Sequence, residues 1–139
     1  MSTLETIGVL IVESGAPDAR GLPVLIGAEP SHWVAAQGSQ VAPHLFIMAE
    51  EEVDEAFAPV GSAVTLRFTA IAPSGEVVFV NQMQMRVEPK LDPELPRRYQ
   101  VLVPLVFTAD EPGLYTLTAA ATAPANKQVW KRKLLLRFA

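Results

Sequence analysis

Apolar and polar residues alternate with a period of two through most of this chain, and that pattern confines the fold to β-sheet. Val64, Leu66 and Phe68 fall on one face of a segment whose other face carries Thr65, Arg67 and Thr69. Pro73-Ser74-Gly75 then supplies a turn, residues 77–80 are apolar on both faces, and Met83, Met85 and Val87 alternate with Gln82, Gln84 and Arg86. Two such runs about a short Pro/Gly turn read as a hairpin. Tyr99, Val101, Val103, Leu105 and Phe107 alternate in the same way up to Asp110-Glu111-Pro112-Gly113, where Pro and Gly suit a type II turn. Strands over 114–122 and 128–138 follow, the last with Trp130, Leu134, Leu136 and Phe138 on one face. Pro104 has no amide proton to donate, so its strand is expected at a sheet edge or to carry a bulge.

Three further strands are expected over 6–13, 22–28 and 43–48, with a short one at His32-Trp33-Val34. The stretch from Glu50 to Phe57 is the one place that could form a helical turn. Many short strands, 12 prolines and little helix indicate an all-β chain, an antiparallel sandwich of about seven to nine strands. At 139 residues the chain reads as a single domain over 1–139, and 50% apolar residues are enough to build its core. The absence of cysteine excludes a disulfide framework and a thiolate metal site.

Glu111-Pro112-Gly113-Leu114-Tyr115 places a tyrosine at the entrance to an alternating strand, as in the tyrosine corner of immunoglobulin-like sandwiches. In that motif the phenol bonds backbone a few residues upstream. Antibody domains carry a cysteine two positions later, where this chain has Leu117, so the resemblance is to the broader sandwich class. With residues 21–28 (GLPVLIGA) and Pro73-Ser74-Gly75, the motif makes the chain similar to small, uncharacterised bacterial proteins with an immunoglobulin-like β-sandwich. That resemblance implies a fold and assigns Pro73, Gly75, Gly113 and Tyr115 structural roles. It implies no activity.

Motifs for chemistry are missing. None of the six serines lies in a G-x-S-x-G elbow, and no phosphate-binding glycine loop occurs. His32 and His44 have no sequence neighbour that marks a catalytic or metal role. Glu50, Glu51, Glu52, Asp54 and Glu55 lack calcium-loop spacing and read as a solvated acidic loop. No catalytic residue, cofactor or metal is therefore expected. A net charge of −4 argues against nucleic acid, and no segment reaches the roughly 20 apolar residues of a membrane span. No secretory pattern opens the sequence, which leaves a cytoplasmic expectation.

Charge is unevenly divided: residues 1–70 carry −7 and residues 71–139 carry +3. Such opposed patches could pair between subunits or within the fold. Leu102 and Val106 lie opposite the core-facing set of their strand, and Leu135 shares a face with Lys133 and Arg137. Apolar residues on both faces of a strand mark either an interface or a surface covered by another part of the chain. The preferred expectation is an interface drawn from Leu102, Val106, Lys131, Lys133, Leu135 and Arg137. This makes the chain a non-enzymatic protein–protein interaction or assembly module, expected to self-associate as a homo-oligomer or to dock on another protein. The alternative is a small-molecule-binding sandwich or barrel, even a cyclase-like enzyme. It requires an internal cavity lined by aromatics and by Met83 or Met85, with His32 or His44 reaching in.

Overall fold

The computed structural model describes residues 4–52 and 54–139. Eleven strands and no helix occur among them: β1 (Glu5–Pro17), β2 (Pro23–Ala28), β3 (Trp33–Ala35), β4 (Gln40–Val41), β5 (His44–Glu50), β6 (Ala63–Ile71), β7 (Val77–Arg86), β8 (Arg98–Pro104), β9 (Phe107–Thr108), β10 (Gly113–Thr122) and β11 (Lys127–Phe138). They form a four-stranded sheet in the order β2-β1-β5-β8, a five-stranded sheet β3-β11-β10-β6-β7 and a small β4-β9 pair. Every described pairing is antiparallel except β3 with β11. Both larger sheets are open, so the strands do not close into a barrel.

The count exceeds the expected seven to nine because short pieces add to the long strands. Pro104 ends β8 opposite His44, and after Leu105 and Val106 the chain resumes as β9, paired with β4 instead of β5. What the alternation presents as one strand over 99–108 is thus two, divided where an amide donor is missing. Its core-facing set is unaffected: Val103, Leu105 and Phe107 are buried and Tyr99 and Val101 pack against them. No helical turn forms among the described residues of 50–57. Glu50 ends β5, and a bend bridged between Glu52 and Glu55 follows; Val53 lies outside the described residues.

One core joins the sheets. Leu45, Ile47 and Ala49 face Val64, Leu66, Phe68, Leu117, Ala119, Leu134 and Leu136, the apolar parity of each strand turned inward. Strand β5 is also buried on its outer face at Phe46, which is outside that core. Beyond Val12, β1 leaves β5 and pairs with β2. This ribbon returns over the outer face. A Cβ on Gly15 would lie 2.7 Å from Leu102 Cδ2 and 3.5 Å from Leu25 Cδ2. Glycine is needed there because the leucine occupies the space of a side chain.

Candidate interaction surface

The turns at Pro73-Ser74-Gly75 and Glu111-Pro112-Gly113, separate in sequence, meet in space. Gly75 has φ +93° and closes a three-residue hairpin loop, its amide donating to the Ala72 carbonyl at 2.9 Å. The Ser74 amide donates to Glu111 Oε1 at 2.9 Å. Gly113, at φ +128°, leaves room for Pro73, whose Cγ would be 2.9 Å from an added Cβ. Tyr115 Oη donates to the Glu111 carbonyl at 2.7 Å, and its ring stacks on Phe107 with centroids 4.9 Å apart. This is the bond anticipated from the tyrosine-corner motif. Burial, with the nearby Glu111 and Asp110 carboxylates, raises the Tyr115 pKa.

At the other end of the molecule a buried carboxylate ties two connections together. Glu51 is only 3% exposed, against the expectation of a solvated loop. Its Oε1 accepts from Arg97 Nη1 at 2.6 Å; its Oε2 accepts from the Phe57 amide at 2.7 Å and Tyr99 Oη at 2.9 Å. Arg97 Nε donates to the Glu88 carbonyl at 3.1 Å. Burial, reinforced by the hydrogen bond and charge of Glu51 and opposed by Arg97, pushes the Tyr99 pKa up to about 12. Nothing in the local sequence marks Glu51 apart from Glu52. Its partners come from 46 and 48 residues away.

A surface groove of about 570 Å³ runs beside this cluster, lined by residues of 85–99 including Arg86, Arg97 and Tyr99. Its arginines are already engaged: Arg97 with Glu51, Arg98 with Glu50, and Arg86 with the Gly61 carbonyl. The interior holds an apolar void of about 20 Å³ against Phe57, Met85, Tyr99 and Trp130, room for a single water. Neither Met83 nor a histidine lines it. Its aromatics and Met85 are of the kind that the small-molecule alternative asks for, but no histidine reaches it. His32 is exposed beside Ser31, while His44 Nδ1 donates to the Ala42 carbonyl at 3.1 Å. No group of three or more metal-ligating side chains occurs among the described residues.

The six expected interface residues do not form one surface. Leu102 is half-buried beneath the β1–β2 ribbon, so the covering explanation holds for it, and Val106 is exposed beyond the break at Pro104. Lys131, Lys133, Leu135 and Arg137 belong to β11 in the other sheet. Lys133 Nζ donates to Thr116 Oγ1 at 2.6 Å, and Leu135 is half-buried. Arg132 forms an ion pair with Glu29, so part of the charge asymmetry is spent inside the fold.

Exposed apolar side chains are spread over the surface, Leu91, Leu95, Leu114 and Val129 among them, and two outermost strands carry some of them. On β2, Val24 is 47% and Ile26 59% exposed, with Leu22 exposed just before them. On β7, Val77 is 52% and Val80 49% exposed. A sequence scan could have found the second: residues 77–85 contain neither charge nor proline. No protein-family model and no curated protein matches this chain. No helix among the described residues is long and apolar enough to cross a membrane.

Proposed function

We propose that the chain is an immunoglobulin-like sandwich that serves as a self-associating protein–protein interaction module without catalytic chemistry of its own. The fold reading is supported by two sheets on one core and by the Tyr115–Glu111 corner. The functional reading rests on where the exposed apolar side chains lie. Among the exposed apolar side chains, Val24 and Ile26 lie on the outermost strand β2 and Val77 and Val80 on the outermost strand β7. An edge strand also offers unpaired backbone donors and acceptors, so apolar side chains there add to a surface already able to bind another strand.

Light scattering after size exclusion at two protein concentrations tests this. A species of at least twice 15.0 kDa is expected, with its share growing on concentration. A 15.0 kDa monomer at both concentrations would remove self-association.

A further inference from the structure

We infer that the partner is a second copy of this chain, joined edge to edge through β7 in antiparallel fashion about an axis at Asn81. This deepens the reading above and rests on it. The ends of both sheets differ in how they are guarded. Strand β2 opens on Pro23 and has Gly27 at φ +67°; β8 runs from Arg98 to Pro104; β3 has only three residues. Prolines, charges and shortness are the usual means of keeping an edge from pairing. Strand β7 pairs with β6 alone and has ten residues, no proline and no charge before Arg86; its one irregularity lies near its start, opposite Ala70 and Ile71.

The direction of its backbone groups can be worked out. The Val87 amide donates to the Ser62 carbonyl at 2.9 Å, toward the β6 side. Alternation therefore turns the amides of Val80, Gln82 and Gln84 to the open edge. The Gln82 amide bears this out: it is met at 2.9 Å by the side-chain Oδ1 of its own neighbour Asn81.

A two-fold axis perpendicular to the sheet must pair residues of the same face, so it passes through a residue. With Asn81 on the axis and its Oδ1 turned away from the Gln82 amide, Val80 and Gln82 of one protomer exchange amide and carbonyl with Gln82 and Val80 of the other. Phe79 and Met83, both half-buried toward the core, come opposite each other across the axis and extend the apolar layer. Glu76, just before β7, and Arg86, at its end, are exposed and opposite in charge, so antiparallel pairing brings the acidic end of one copy toward the basic end of the other. The strand is thus complementary to itself, which singles out a second copy as its occupant.

Gln82→Pro tests the edge directly. It deletes an outward amide that β6 does not use, whereas Gln82→Ala keeps it. Wild type and Gln82→Ala should run at twice 15.0 kDa and Gln82→Pro at 15.0 kDa, with an unchanged far-ultraviolet spectrum. If Gln82→Pro fails to fold, Val80→Lys, at an exposed side chain, should give the same loss of dimer. An oligomer that survives both variants but is lost in Val24→Lys/Ile26→Lys overturns the β7 assignment and leaves the interaction module standing. A monomeric wild type overturns both.

Discussion

The hydroxyl of Tyr115 is closed off from water and donates to the Glu111 carbonyl, fixing the chain as it crosses between sheets ahead of β10. Tyr115→Phe keeps the stacked ring on Phe107 but leaves that carbonyl without its donor. The expected cost is about 1–3 kcal/mol, seen as a lower urea midpoint at unchanged slope. An unchanged midpoint would mean that the ring alone holds the corner. Glu51 shows the same economy with a charge. A buried carboxylate is tolerated because an arginine, a phenol and a backbone amide together satisfy both oxygens.

Among the elements, the β1–β2 ribbon explains most of what strand periodicity leaves open. Strand β5 has buried residues on both faces because the ribbon covers the side that the second sheet does not. Close packing there depends on Gly15. Gly15→Ala would set a methyl 2.7 Å from Leu102 Cδ2 and 2.9 Å from the Val24 carbonyl oxygen. The leucine can turn away, but the carbonyl belongs to the paired strand and cannot move alone. We expect a loss of about 1–3 kcal/mol by overpacking, read in chemical denaturation, together with increased binding of an apolar dye as the ribbon lifts. A fully stable variant would show that the ribbon is free to slide.

For the molecule as a whole, the cluster at Glu51 joins the connection after β5 to the one before β8. It therefore couples overall stability to the protonation of Tyr99. The phenol titrates near 10 in the unfolded chain and at about 12 when folded. Between those values the folded state holds the proton more tightly, so stability falls as pH rises through the window and is complete below it. Urea unfolding on either side of the window, with phenolate absorbance followed in parallel, checks the sign. Stability that is flat across the window would place Tyr99 outside the network.

The strands, their inward faces and the hairpin turns are legible in the sequence because each depends on neighbours within a few residues: the pleat has period two, glycine supplies positive φ, and proline withholds a donor. Pro104 marks an edge for that reason, and Tyr115 announces its own bond to Glu111, four residues away. Periodicity also shows that Leu102 lies on a second apolar face, but not whether solvent, a partner or the chain's own ribbon covers it. Glu51 and Glu52 are equivalent in sequence, and only a fold that brings Arg97 and Tyr99 to one of them makes it a buried anchor. Burial and pairing between distant segments depend on which surfaces the chain brings together, and that was decided by the tertiary structure.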